Sequence, residues 1–221
     1  MIPKIFHHIW MGDKQIPDTC KTCYEQMKTL HPEFEFKLWR DSDIDYLLKT
    51  KYQKYYTSFH NLPRTIMKID MFRYFLMYEY GGIYTDLDYY FLKPYDIFDY
   101  KVVIPCNREN EFGEPIRLGN CIFSSEAKHP FWKHLIDTLF TIDRTNIEYN
   151  NDNTIDCNEF GTGPTFVYSM WIKHKTGIFV PIRKLFHPET KLNNDYIHKL
   201  QIENISYGMH VCTGLWRQNK L

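Results

Sequence analysis

Tyr80-Gly81-Gly82-Ile83-Tyr84-Thr85-Asp86-Leu87-Asp88-Tyr89-Tyr90-Phe91-Leu92-Lys93-Pro94 is the stretch whose reading decides the fold. A glycine pair, an aromatic-rich extended run and two carboxylates one residue apart follow directly on the most apolar segment of the chain, residues 64–80. An apolar helix, a glycine stop and then an apolar strand make an α/β unit. In an extended segment residues i and i+2 point to the same side, so Asp86 and Asp88 can aim their oxygens at one point. Two converging carboxylates suit a hard divalent cation, and a cation held on an open face suits a phosphate.

An Asp-x-Asp triplet alone carries little weight. Asp41-Ser42-Asp43 and Asp43-Ile44-Asp45 have the same form and read as acids at the start of a helix. Asp86 and Asp88 differ in having hydrophobic sequence on both sides, where carboxylates without a partner are expensive to hold.

Upstream, residues 64–80 contain Ile66, Met67, Ile69, Met71, Phe72, Phe75, Leu76 and Met77. A helix apolar nearly all round belongs at the centre of a core. Asp70 and Arg73 lie three apart on one face of it, either as a structural ion pair or facing a polar ligand such as sugar hydroxyls. Earlier still, Lys4 to Trp10 reads as a buried first strand and residues 17–30 as a helix with proline and acid in its first turn. Phe34 to Trp39 alternates as a second strand, and a short helix opens at Asp41. Residues 51–60, aromatic among lysines, are ambiguous as an element and read as a mobile aromatic segment.

Downstream, residues 102–105 and 120–123 read as strands, 130–140 and 165–173 as helices, and 178–181 as a late strand. Residues 143–158, rich in Asn and Asp, read as a surface loop. Gly161-Thr162-Gly163-Pro164 is a glycine-rich turn without the Lys-Ser/Thr of a Walker loop. The tail sets His210 and Trp216 around Gly214. Strands alternating with helices give an α/β domain with a mostly parallel sheet, and no internal repeat is visible.

A chain of 221 residues, 43% hydrophobic and 17% aromatic, can bury one substantial core. Its 27 Lys+Arg balance 27 Asp+Glu, which argues against nucleic-acid binding by bulk charge. No run approaches the ~20 apolar residues of a membrane span, and the first ten residues lack the features of a signal peptide. The expectation is a cytoplasmic chain without its own anchor. Six cysteines, at 20, 23, 106, 121, 157 and 212, read as buried thiols; Cys20 and Cys23 fall on the apolar face of the first helix.

The run Ile2-Pro3-Lys4-Ile5-Phe6-His7-His8-Ile9-Trp10, then Lys68-Ile69-Asp70-Met71-Phe72-Arg73-Tyr74, then the Asp86/Asp88 stretch and the tail at His210 and Trp216 resemble family 32 glycosyltransferases. These carry a sugar-binding region with a DXD motif and are similar to the glucosylating domains of large clostridial toxins. The resemblance runs from residue 2 to about 216. It implies a single GT-A type domain over 1–221, with a nucleotide-sugar-binding half (1–100) and an acceptor half with a C-terminal closure (101–221).

Residue by residue, the resemblance implies that Trp10 stacks on the nucleotide base with its ring exposed at the end of the first strand. Asp70 and Arg73 would bind the donor sugar, Tyr84 would sit beside the nucleotide, and Asn120 would contact the sugar. Asp86 would face the ribose and the metal's water shell, Asp88 would bind the metal, and His210 and Trp216 would close over the diphosphate. The family has a small polar residue where this chain has Ile69, so one donor contact differs.

The chemistry coheres. A nucleoside diphosphate leaves readily only when its developing charge is neutralised, which a divalent cation does as a Lewis acid. An imidazole ligand such as His210 favours Mn²⁺ over Mg²⁺. The family is retaining, and no carboxylate nucleophile stands out, so front-face attack with the departing phosphate taking the proton is expected. The expected partners are a nucleotide sugar, UDP ahead of GDP, and a glycan, lipid or protein acceptor met by residues 51–62 and 107–118. The competing readings are a nucleotide-sugar-binding module without turnover and, less favoured, an Asp-x-Asp phosphohydrolase, which would want Thr or Val where Tyr90 stands.

Overall fold

The computed structural model describes residues 1–142, 161–188 and 194–212. A six-stranded sheet runs through it in the order β2 (Glu35–Trp39), β1 (Ile5–Ile9), β3 (Gly82–Thr85), β8 (Ile122–Ser125), β5 (Val102–Val103), β9 (Ile178–Phe179). β1 is parallel to both β2 and β3, and β5 is parallel to β9, whereas β8 runs antiparallel to its two neighbours. The sheet therefore joins strands from before residue 100 to strands from after it along the β3–β8 edge. Around it lie α1 (Asp18–Leu30), α2 (Asp41–Lys51), α3 (Gln53–His60), α4 (Thr65–Glu79), α5 (Pro130–Thr141) and α6 (Pro164–Lys173). Residues 51–60 are not the expected mobile segment: they close α2 and form α3, which is held in place by burying Tyr55 and Phe59.

α4 is the centre of the core. Every residue from Ile69 to Met77 is buried, so the helix is covered on all sides, as its unbroken apolar sequence requires. It stops at the glycine pair. Gly81 and Gly82 have φ of 66° and 83°, and a Cβ on Gly81 would stand 2.6 Å from the Ser125 carbonyl oxygen. Only glycine combines that left-handed turn with so close a pass of neighbouring backbone.

Two buried histidines fasten β1 against β3. The Trp39 indole N–H donates to His7 Nδ1 at 3.1 Å, which leaves the proton on Nε2, 3.1 Å from the Gly81 carbonyl. His8 Nδ1 lies 3.0 Å from the Thr85 carbonyl. Burial, helped by the proximity of the two rings, pulls the His7 pKa down to about 3, and burial pulls His8 down to about 4. Both rings are neutral parts of the frame.

After β3 the chain does not stay extended. Asp86, Leu87 and Asp88 form a turn closed by Tyr89 N–H donating to the Asp86 carbonyl at 3.1 Å, and β4 (Tyr89–Phe91) then pairs antiparallel with β10 (Gly208–His210). This corrects the expectation of one extended run through both aspartates. Their convergence comes from the turn, not from strand alternation. Three further elements had no counterpart in the sequence reading: the hairpin of β6 (Cys106–Glu109) and β7 (Pro115–Leu118), the short α7 (Arg183–Phe186), and α8 (Asn194–Glu203).

Candidate active site

The site lies where α4, the end of β3, the lead into β8 and the last described strand meet. Asp70 and Arg73 project from α4 and are 3% and 2% exposed. The Asn120 amide donates to Asp70 Oδ1 at 2.7 Å, the Thr162 hydroxyl donates to Asp70 Oδ2 at 2.7 Å, and Arg73 Nη2 stands 3.2 Å from Asp70 Oδ1. Arg73 also donates to the Asn120 carbonyl and lies 3.7 Å from Asp86 Oδ1. Its guanidinium sits 4.6 Å over the Tyr84 ring. Burial alone would lower the Arg73 pKa, but Tyr84, Asp86 and Asp70 around it raise it, so the group is a permanent cation. Arg73 Nε is buried without a partner, one donor left over inside an otherwise satisfied network.

Tyr84 links this inner cluster to the turn. Burial, followed by Asp86 against the opposing pull of Arg73, holds its phenol far above the usual range, and the hydroxyl donates to Asp86 Oδ1 at 2.6 Å. The outer cluster is Asp86, Asp88 and His210, whose ligand atoms all lie within 4.8 Å of one another. His210 Nε2 is 2.9 Å from Asp88 Oδ1 and 3.7 Å from Asp86 Oδ2. The β10–β4 pairing sets His210 opposite Tyr89, so 122 residues of sequence separation collapse to one hydrogen bond. Burial works against a charged His210, and Cys121 and Asp88 outweigh it, raising its pKa well above the ordinary value. Two carboxylates and one imidazole are a donor set that fits a divalent cation, with His210 giving up its proton to coordinate.

Trp10 is a correction. Its ring is 5% exposed, packed against Cys20 and Leu87, with the indole N–H donating to the Lys14 carbonyl at 2.8 Å. A large apolar ring at the end of β1 lowers its energy by burying itself beneath the aspartate turn, so no open face is presented. Asn120 lies in the inner cluster, 6% exposed. Trp216 falls outside the described residues, as does the whole Asn-rich segment 143–158. Sequence reasoning missed Thr162, whose hydroxyl satisfies Asp70. The Gly-Thr-Gly-Pro turn was visible, but nothing local indicates which face of the domain it meets. Cys212, read with the other cysteines as a buried thiol, is instead exposed, 3.2 Å from His210 Nδ1.

Residues 17–107 match the family described as a glycosyltransferase sugar-binding region containing a DXD motif. The matched stretch holds Asp70, Arg73, Asp86 and Asp88, so the chain is similar to the DXD-containing glycosyltransferases over this region. Of the Asp-x-Asp triplets in that region, Asp86-Leu87-Asp88 is the one whose two carboxylates gather with an imidazole into a three-group cluster among the described residues. The chain is 34% identical over 143 residues to inositol phosphoceramide mannosyltransferase 1 of Schizosaccharomyces pombe, covering 62% of this chain and 43% of that protein. It is 27% identical over 225 residues to inositol phosphoceramide mannosyltransferase 2 of the same yeast, covering 99% of this chain and 59% of that one. The chain thus spans about half the length of the curated relatives it matches. Among solved structures, a chain described as PaToxG glycosyltransferase superposes with a TM-score of 0.54 at 15% identity, over 92% of this chain and 76% of that one. The fold is of the GT-A type, α/β with a mostly parallel central sheet flanked by helices.

The relatives also overturn the cytoplasmic expectation. They are named inositol phosphoceramide mannosyltransferases, after a ceramide-based acceptor, and a cytoplasmic assignment conflicts with them. No helix of the described residues is long and apolar enough to cross a membrane, which does not place the protein in the cytoplasm.

Proposed function

We propose that the protein is a metal-dependent, retaining hexosyltransferase that moves mannose from a nucleoside-diphosphate sugar to a hydroxyl of a phosphorylated polyol lipid or related glycoconjugate. The observation that carries this reading is the meeting of Asp86, Asp88 and His210 beside the buried Asp70–Arg73–Asn120 cluster. One cluster fits a cation and the other fits sugar hydroxyls, and they share Arg73 and Tyr84 as a wall.

Asp86, Asp88 and His210 would hold Mn²⁺ or Mg²⁺, which supplies Lewis-acid neutralisation of the departing diphosphate. The remaining work belongs to the chain. Asp70, held on both oxygens by Asn120 and Thr162, is a fixed acceptor for donor-sugar hydroxyls, and an acceptor that need not reorganise favours the transition state. Arg73, cationic and with Nε unspent, offers a donor to the same sugar. Tyr84 stays protonated and orients Asp86. With no further carboxylate in this constellation among the described residues to act as a nucleophile, attack by the acceptor hydroxyl on the face the diphosphate leaves is the mechanism it best supports. Anomeric analysis of the product showing inversion would sink it.

For the nucleotide, the mannose named in the relatives favours GDP, the usual carrier of mannose, and reverses the order expected from the sequence. The test is a thermal-shift panel of GDP, UDP, ADP and CDP, each with and without Mn²⁺. A nucleotide at a hundred times its dissociation constant adds ~2.7 kcal/mol, a shift on the order of 5 to 10 °C for a domain of this size. A shift for GDP only with metal supports the reading. No shift with any nucleotide in the presence of Mn²⁺ overturns it.

A further inference from the structure

The acceptor half carries a cavity of about 510 Å³ lined by Asn107, Arg108, Glu109, Asn110 and Arg183, between the β6–β7 hairpin and α7. We propose that this cavity is the acceptor subsite for a phosphorylated polyol headgroup, with Arg108 and Arg183 taking the phosphate and Glu109 and Asn107 taking hydroxyls. The inference rests on the transferase reading and names its acceptor.

Position is the first support. Cys106, which opens β6, pairs with Leu118, and two residues beyond Leu118 is Asn120 of the donor-side cluster. At ordinary strand spacings that puts the cavity on the order of 10 to 15 Å from Asp70. On its other wall, α7 begins at Arg183 and is followed by His187. The His187 N–H donates to the Arg183 carbonyl at 2.7 Å, and His187 Nδ1 lies 3.9 Å from the Sγ of Cys121, the neighbour of Asn120, so α7 leads from the cavity to the donor-side cluster. A headgroup seated against Arg183 would present its remaining hydroxyls toward the donor.

Charge is the second. Neither Arg108 nor Arg183 has an ion-pair partner among the described residues, whereas the neighbouring Lys184 is paired with Glu203. The nearest candidate, Glu109, spends Oε1 accepting from the Arg183 backbone N–H at 2.7 Å. Two unneutralised guanidinium groups in one concavity suit a phosphate, which each can bind in bidentate fashion. A site for inorganic anions alone would not also line itself with a carboxylate. Glu109 Oε2 and the Asn107 amide are hydroxyl partners, which makes a sugar alcohol the natural body of the ligand. Asn110 is spent on the hairpin loop, accepting from the Phe112 and Glu114 N–H groups, and serves as scaffold.

The test is calorimetric titration of the intact protein with myo-inositol 1-phosphate, inorganic phosphate and myo-inositol in separate arms. The inositol phosphate should bind at least tenfold tighter than either fragment. The double variant Arg108→Gln, Arg183→Gln should weaken it at least tenfold, and Lys184→Gln, an adjacent cation paired with Glu203, should change it less than twofold. Equal affinity for inorganic phosphate, an equal loss in the Lys184 variant, or no binding overturns the proposal. Nucleotide binding with Mn²⁺ is measured on the same samples: if it is present while inositol phosphate fails, the subsite is wrong and the transferase reading stands. If nucleotide binding is absent, the transferase reading fails and the acceptor assignment falls with it.

Discussion

Asp70 and Asp88 are both carboxylates with little exposure, yet the chain treats them differently. Asp70 receives an amide, a hydroxyl and a guanidinium from its own protein. Asp88 faces an imidazole and, across the turn, a second carboxylate within 4.8 Å. The inner cluster is complete as a structure and offers a ligand only what is left over. The outer cluster gathers negative charge that a cation would neutralise. A buried network satisfied by its own residues holds a fold, whereas converging like charges are kept only where something else binds.

The largest separation between the two regions should come from Asp88→Ala. We expect turnover to fall on the order of 10³-fold with melting temperature within a few degrees of the parent. Loss of folding in this variant would place Asp88 with the structural cluster and break the comparison. Arg73→Ala should strike the fold as well as turnover, costing about 3 to 5 kcal/mol of stability because Asp70 is left buried without its cation. Urea unfolding measures it, and a loss below ~1 kcal/mol would show that Asn120 and Thr162 hold Asp70 unaided.

Acid probes the frame beneath both regions. His7 and His8 are neutral in the fold with pKa values of about 3 and 4, against ~6.5 in the unfolded chain. Their contribution is complete above pH 6.5 and is lost as pH falls toward 4, by about 2 kcal/mol per histidine at pH 5. His210 has the opposite sign. Its raised pKa means that its contribution to the metal-free fold is complete below pH 6.5 and is lost as pH rises through the folded value. Stability curves for His7→Asn and His210→Gln should therefore diverge from the parent in opposite directions between pH 4 and 8, and parallel curves would refute the assignment. Mn²⁺ affinity should weaken with acid in the parent and much less in His210→Gln, since proton and metal compete for the same nitrogen.

The smallest effect is expected at the link. Tyr84→Phe removes the hydroxyl that donates to Asp86 but keeps the ring under Arg73. It should cost about 1 kcal/mol of stability and less than tenfold in turnover. A larger loss of turnover would mean that the orientation of Asp86, and not its charge alone, limits the reaction.

Much of this was legible in the sequence because it rests on short-range patterns. The nine consecutive buried residues of α4 follow from an unbroken apolar run, its stop from a glycine pair, and the pairing of Asp70 with Arg73 from helical periodicity. The aspartate motif was found, but for a wrong local reason: the chain turns at Asp86 where an extended strand was expected, because Asp86 N–H pairs with the Cys121 carbonyl and β4 is drawn off to β10. Trp10 was placed on the surface because its strand ends there, while the structure folds the aspartate turn over it.

The sequence by itself determined the elements, the central helix, the glycine stop and the identity of the charged residues, since each depends on neighbours a few positions away. Only the tertiary structure decided which groups meet: Thr162 with Asp70, His210 with Asp88, Arg183 with the β6–β7 hairpin. Those contacts join residues 92, 122 and 74 positions apart. The packing that closes such loops is set by the whole core, and no local pattern in the chain encodes it.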